Sequence, residues 1–358
     1  MSLNNASSAP GLTGCAHFLD VILELKIIFS FSNLPFYSVS AYHLGNIRGA
    51  LSWLPSIKIE SEGARFISKR CKHEFYSGRS IDFWISLSIV IRKILGNKNM
   101  DLGITKKTAL VCASSKGLGR GCAEALAEAG VHLVINARDR KALNETADSI
   151  RTRFNVRVQT VAADITSLEG QNRVLDVAGS PDILINNAGG PPPGMWSDWE
   201  KSDFLAALEA NMLTPINLIK SLLPSMMEKG WGRIVNITSQ SVKAPIAVLG
   251  LSNAARAGLT GYVAGTARQV APHGVTINNL LPGVHATDRI KYLDLEVAKA
   301  RGITVQEAAA ERAGAIPVGR YGTRQEFGAA CAFLCSQHAS FMVGQNVLLD
   351  GGAINATL

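Results

Sequence analysis

The chain is short of cysteine pairs, of long apolar runs and of charge, and each shortage excludes a class of protein. Its six cysteines, Cys15, Cys71, Cys112, Cys122, Cys331 and Cys335, show no C-x-x-C spacing and no accompanying histidine pattern. This argues against a disulfide framework and a zinc site, and it predicts reduced thiols in a cytoplasmic protein that needs no metal. Charged residues make up 18% of the 358 residues and hydrophobic ones 47%, so nothing reads as disordered. Of the apolar runs, VILELKIIFSF from Val21 contains Glu24 and Lys26, and FWISLSIVI from Phe83 ends at Arg92 and Lys93. Both fall short of the ~20 residues that cross a bilayer, so no membrane segment is expected. The N-terminus lacks a basic start, an apolar stretch and a small-residue cleavage site, and no export is expected.

The formal charge of +8 invites a nucleic-acid reading, but its distribution removes it. Residues 1–99 carry 11 Lys and Arg against 6 Asp and Glu, leaving a nearly neutral 25 against 22 thereafter. A nucleic-acid surface is therefore not expected. Residues 1–99 are Ser-rich and without sustained periodicity or repeat, and the texture changes abruptly at Met100. The expectation is an irregular N-terminal extension over 1–99, an appendage or translated upstream sequence, followed by one domain over 100–358 with Met100 as functional start.

What is present from Met100 onward is a regular alternation. Short apolar runs (TALVCA, VHLVINA, VRVQTVAA, DILINN, RIVNIT, VTINNLL, QNVLLD) are separated by amphipathic stretches. Strand-helix alternation of this kind predicts an α/β fold, a Rossmann-type, doubly wound parallel sheet of seven strands. Ligands of such sheets bind beyond the carboxyl ends of the strands, so the residues just after each strand are candidates for the site.

After the first strand comes Cys112-Ala113-Ser114-Ser115-Lys116-Gly117-Leu118-Gly119-Arg120, in which Gly117 and Gly119 allow backbone to approach a diphosphate at a helix N-terminus. Asn186-Asn187-Ala188-Gly189 follows the fourth strand, Ser239 the fifth and Pro282-Gly283 the sixth, and the tail reads Gly344-Gln345 through Asp350-Gly351-Gly352. With these motifs the chain resembles the short-chain dehydrogenase/reductase family over residues 104 to 352, most nearly its 3-oxoacyl-(acyl-carrier protein) reductase-like branch. One departure is Ala113, where the family has the first Gly of its turn; its methyl group narrows the approach to the diphosphate without blocking it.

The resemblance implies a nicotinamide cofactor and, in most members, a homodimer or homotetramer built on the two long helices that carry Asn211 and Arg256. A free ribose 2′-hydroxyl would be matched by an acid ending the second strand, but that slot is Ala137, followed by Arg138, and Lys116 adds a second cation. This favours NADP(H) over NAD(H). By the same resemblance the turn Ala113, Ser115, Lys116, Gly117, Leu118 and Gly119 cradles the cofactor. Asp164 meets the adenine edge, Asn187, Ala188 and Gly189 the adenosine ribose and its surroundings, and Pro282, Gly283 and Thr287 the nicotinamide end.

The family reduces a carbonyl with Ser, Tyr and Lys, helped by an Asn on the preceding helix. Ser239 and Asn211 fit the first and last roles. Thirteen residues after Ser239, however, the Y-x-x-x-K is replaced by Ser252-Asn253-Ala254-Ala255-Arg256, and none of the six tyrosines has lysine four residues on. Arg256 could still bind the ribose, but it would not give up a proton near neutral pH. Three substitutes for the phenol present themselves: a water chain through Asn211 and Ser252, a donor from Lys243 or His285, or a substrate that needs no acid, such as a pre-protonated imine. His285 otherwise reads as a solvent-facing loop residue. Gly190-Pro191-Pro192-Pro193-Gly194-Met195-Trp196 reads as a stiff turn bringing two apolar groups toward the cleft or packing on its own helix, and His285 to Ala315 reads as a lid. The expected activity is hydride transfer between NADP(H) and a carbonyl or acyl-thioester substrate with an altered proton relay. The alternatives are an NADP-binding sensor or partner subunit without catalysis, and a non-redox lyase on the same scaffold.

Overall fold

A computed structural model describes residues 100–357; the reading of residues 1–99 lies outside the described residues. All seven expected strands form: β1 (Thr108–Val111), β2 (His132–Ala137), β3 (Val158–Ala162), β4 (Ile183–Asn186), β5 (Gly232–Ile237), β6 (Val275–Pro282) and β7 (Asn346–Leu349). They pair in the order β3-β2-β1-β4-β5-β6-β7, every pair parallel. Strands covered by helices on both faces are shielded at every position, which is why β4, β5 and most of β6 are continuously buried and mostly apolar, with buried asparagines among them. Chain direction across the sheet reverses between β1 and β4, and a crevice at that switch point is where such sheets take ligands.

Alternate residues of the strands feed two cores. Ala109, Val111, Leu133, Ile135, Ile183 and Ile185 face α1 (Gly117–Glu128) and the late helix Arg324–Leu334, while Leu110, Val134 and Leu184 face the other layer. Between these helices lie α2 (Arg140–Arg153), α3 (Leu168–Ala178), α4 (Lys201–Leu208), α5 (Thr214–Glu228) and α6 (Gly250–Val270). The expected lid is two further helices, α7 (Asp288–Arg301) and α8 (Val305–Gly314); with them the helix Arg324–Leu334 is α9. Tyr321 Oη donates to Asp294 Oδ2 at 2.9 Å, and Arg312 Nε meets the other oxygen of this buried carboxylate at 2.6 Å, so α7 and α8 are tied together.

An asparagine ladder crosses the sheet in register. Asn186 Nδ2 donates to Asn236 Oδ1 at 2.8 Å, Asn236 Nδ2 to Asn279 Oδ1 at 3.0 Å, and Asn279 Nδ2 to Asn346 Oδ1 at 2.8 Å. Buried amides bonded to one another fix register as well as direction, and here they run from the last residue of β4 through β5 and the middle of β6 to the first residue of β7. Among the described residues no helix is long and apolar enough to cross a membrane, and no cluster of three or more His, Cys, Asp or Glu could hold a metal.

Candidate active site

The turn after β1 is shaped by one carbonyl. Ala113 sits at φ 47°, in left-handed backbone that favours glycine, and its carbonyl oxygen accepts from Asn187 Nδ2 at 3.2 Å. The same oxygen would lie 2.4 Å from a Cβ on Gly119, so only glycine lets α1 begin this close to the turn. Ala113 therefore does more than narrow the approach: it occupies a strained backbone position. Gly117, at φ 58°, lies beneath the Thr287 methyl group, which would be 3.7 Å from an added Cβ. Lys116 caps α1 without a side-chain bond, leaving the helix's first N–H groups for an anion. Ser115 is anchored through its carbonyl, which accepts from Thr146 Oγ1 at 2.8 Å, and Leu118 packs against the core.

At the end of β2, Ala137 is buried and Arg138 is exposed. Asp164, just beyond β3, accepts from the backbone N–H and hydroxyl of Thr166 at 3.0 and 2.8 Å. The Thr166 backbone bond holds its carboxyl below the ordinary range; burial opposes this, while the Thr166 hydroxyl and the Arg138 charge assist it. Arg138 and Asp164 thus share one corner of the crevice. Gly283 donates its N–H to Leu349 O at 2.7 Å, and a Cβ there would stand 2.6 Å from Asp350 Cα, so the turn after Pro282 lies against the end of β7. The glycines, the uncapped helix start and the cations fit a dinucleotide.

On the reacting side, α4 and α5 are joined by a π-helical turn, Glu209–Leu213, with Asn211 at its centre. Such widened turns re-aim a side chain. Asn211 Nδ2 points toward Gly189 O and Ala207 O, both at 3.4 Å, while its Oδ1 is buried without a partner. Arg256 is only 9% exposed: its Nη1 donates to Ile237 O at 2.8 Å and Thr238 O at 2.9 Å, and its Nε donates to Ser252 Oγ at 3.1 Å. Burial, reinforced by the Arg289 charge, pushes Arg256 down to about 10, which leaves it a cation at neutral pH. Ser239 Oγ accepts from Ser241 N at 3.1 Å, which leaves its hydroxyl hydrogen unengaged in that bond. Arg256, Asn211, Asn186 and Asn187 line a cavity of about 10 Å³, the size of one water, and the Oδ1 atoms of Asn186 and Asn211 are both unpaired there.

The expectations for His285 fail here. His285 is neither a solvent-facing residue nor placed to donate a proton to the crevice: it is 5% exposed, edge-to-face with Phe327, and under Gly322, where a Cβ would touch its ring. Burial holds its pKa below the ordinary value, opposed by the Gly283 carbonyl and the Glu326 charge. In the turn 190–196 Met195 is exposed and Trp196 is 85% exposed, so neither of these two apolar groups packs on a helix. The packed aromatic is Trp199, whose ring fills the space beside Gly250 and Gly194. Lys243 is exposed at the end of the short 3-10 turn Gln240–Val242. Sequence reasoning also missed Arg289, whose Nη1 and Nη2 donate to Gly190 O at 3.1 Å and Pro191 O at 3.0 Å. Nothing in its local sequence signals a contact with a segment so distant along the chain.

Comparison with known proteins places this geometry. Residues 112–354 match the family described as enoyl-(acyl carrier protein) reductase. The chain is 31% identical over 258 residues to the NADPH-dependent reductase BacG of Bacillus subtilis, covering 71% of this chain and all of that protein. It is 32% identical over 257 residues to the 3-oxoacyl-[acyl-carrier-protein] reductase FabG of Vibrio cholerae, covering 70% of this chain and 98% of that one. L-sorbose reductase from Gluconobacter frateurii, solved with NADPH and L-sorbose, superposes with a TM-score of 0.69 at 29% identity, covering 72% of this chain and all of the other.

Proposed function

The chain belongs to the short-chain dehydrogenase/reductase family, and from that premise we propose that it is an NADP(H)-dependent oxidoreductase whose proton travels through Ser252 and water. Its substrate is a carbonyl/alcohol pair, with 3-oxoacyl thioesters as the reference case because the FabG relative is named for them. The observation that carries this reading is the bond from Arg256 Nε to Ser252 Oγ at 3.1 Å, beside a water-sized cavity.

NADP(H), when bound, would supply or accept the hydride. Gly117, Gly119 and the start of α1 suit its diphosphate, and Lys116 and Arg138 suit a 2′-phosphate, with Asp164 at the adenine edge. Asn187, Ala188, Gly189, Pro282, Gly283 and Thr287 line the remainder. Ser239 donates its hydroxyl hydrogen to the substrate oxygen. Arg256 keeps a positive charge beside the oxygen that becomes an alkoxide, an electrostatic contribution that needs no proton transfer. Ser252 accepts from Arg256 and so keeps its own O–H to give to the alkoxide, recovering a proton from water held by Asn211 and Asn186. A general acid is worth about 10²- to 10⁴-fold, whereas positioning supplies roughly 7 to 11 kcal/mol. The substitution therefore slows reduction without abolishing it.

A second reading has its own observation. The three hydrogen bonds of Arg256 all close within the protein, as expected of a binding subunit whose chemistry has been retired. A screen of ketones, imines and acyl thioesters with NADPH separates the two: turnover supports the enzyme, and none across the set supports the non-catalytic subunit. A non-redox lyase lacks comparable support, because Gly117, Gly119, Lys116 and Arg138 keep the form of a dinucleotide turn. We also propose a homodimer or homotetramer packed through α4 to α6, where Leu205 and Leu213 are exposed and a Cβ on Gly261 or Gly265 would meet nothing within 4 Å.

A further inference from the structure

Two guanidinium groups flank the turn that follows β4. Arg256 lines the cavity that also meets Asn187 and Ala188, and Arg289, in the first turn of α7, holds Gly190 O and Pro191 O. Asn211 reaches Gly189 O between them. Among the described residues neither arginine has a carboxylate within 4.0 Å, whereas Arg120, Arg312 and Arg320 do. Arg256 is more than nine-tenths buried and its partners are neutral, two carbonyls and one hydroxyl. A buried cation satisfied only by neutral acceptors retains an uncompensated charge.

From this geometry we propose that Arg256 and Arg289 form an anion site for the substrate, and that the substrate is an oxo acid with a free carboxylate. The inference rests on the oxidoreductase reading of the same crevice and narrows its substrate class. Burial first, and the Arg289 charge second, disfavour the Arg256 cation, and a carboxylate seated between the two arginines would offset both. The cofactor's phosphates have their own partners in the start of α1, Lys116 and Arg138, which leaves this pair for the other ligand. Arg289 spends two N–H groups on the carbonyls; the remaining N–H groups of its fork suit a carboxylate, which a lysine would hold only as a point charge. Its seat on the turn at Gly190 and Pro191 also holds the first turn of α7 over the crevice.

The test uses the full chain saturated with NADP+, so that no turnover intervenes, and calorimetric titration with matched 2-, 3- and 4-oxo acids and their methyl esters. At least one acid is expected to bind about tenfold or more tightly than its neutral ester, the range of a charge-assisted bond. Arg289→Gln removes that advantage while the NADPH Kd stays within about twofold, and Arg289→Lys restores part of it. A purely structural clamp would instead weaken acid and ester alike. Equal binding of acids and esters, an acid advantage that survives Arg289→Gln, or a matching loss of NADPH affinity overturns the assignment. Wild-type protein that binds no NADPH contradicts the oxidoreductase reading and this inference with it; protein that binds NADPH but prefers no acid contradicts this inference alone.

Discussion

Ser252 and Arg256 are joined one helical turn apart, Arg256 Nε donating to Ser252 Oγ at 3.1 Å. Ser252 and Arg256 are therefore coupled to each other, and the direction of the bond leaves the serine's hydrogen to be given away. Ser252→Ala is expected to lower the single-turnover rate of NADPH oxidation by about 10- to 100-fold while leaving the NADPH Kd within about twofold. Stopped-flow absorbance beside a fluorescence titration checks both. Unchanged rates would remove Ser252 from the relay.

The strained turn gives a second prediction. Ala113→Gly relieves a left-handed alanine at φ 47° and is expected to raise stability by about 1 kcal/mol, observed as a rise of roughly 2–4 °C in Tm. Gly119→Ala acts oppositely, because its Cβ would stand 2.4 Å from the Ala113 carbonyl, and NADPH affinity is expected to fall. Thermal melts and titrations of the two variants check the pair.

If the exposed cations Arg138 and Lys116 carry cofactor choice, as proposed, their removal has a signature. Arg138→Ala, and to a lesser degree Lys116→Ala, is expected to weaken NADPH binding by about 10- to 100-fold and to change NADH binding little. Parallel fluorescence titrations with the two cofactors measure it. Equal losses for both would place the cations elsewhere than on a 2′-phosphate.

His285 predicts a pH dependence of stability. Its folded pKa lies below the ordinary 6.5, chiefly because it is buried, so the unfolded chain binds its proton first as pH falls. The stability of the neutral form is full above about pH 6.5 and declines as pH falls from there through the lowered folded value. Urea unfolding at several pH values below 7 is expected to show this slope in the wild type and to lose His285's share of it in His285→Gln.

Much of the fold was legible because buried parallel strands read as continuous apolar runs, and all seven were placed from TALVCA to QNVLLD. The positions of the candidate site residues after strands were legible for the same reason: Asn187 and Gly283 directly follow β4 and β6, and Ser239 stands two residues after β5. The remainder depends on contacts between distant segments. The π-helical turn at Asn211 carries no local sequence signature, the burial of His285 is made by Phe327 and Gly322, and Arg289 reaches carbonyls 99 and 98 residues away. Spacing along the chain reports which residues share an element, and it is silent about which loops meet.

The central claim is that Ser252, Arg256 and water deliver the proton that a phenol delivers elsewhere in the family. Its most direct test is steady-state NADPH oxidation by the parent and by Ser252→Tyr/Arg256→Lys over the same ketone, imine, oxo-acid and acyl-thioester set. The account predicts measurable turnover by the parent on at least one carbonyl substrate and a rise of about 10²- to 10⁴-fold in the double variant. No turnover by the parent together with turnover by the double variant would contradict it, and would mark the crevice as a nucleotide-binding site without catalysis.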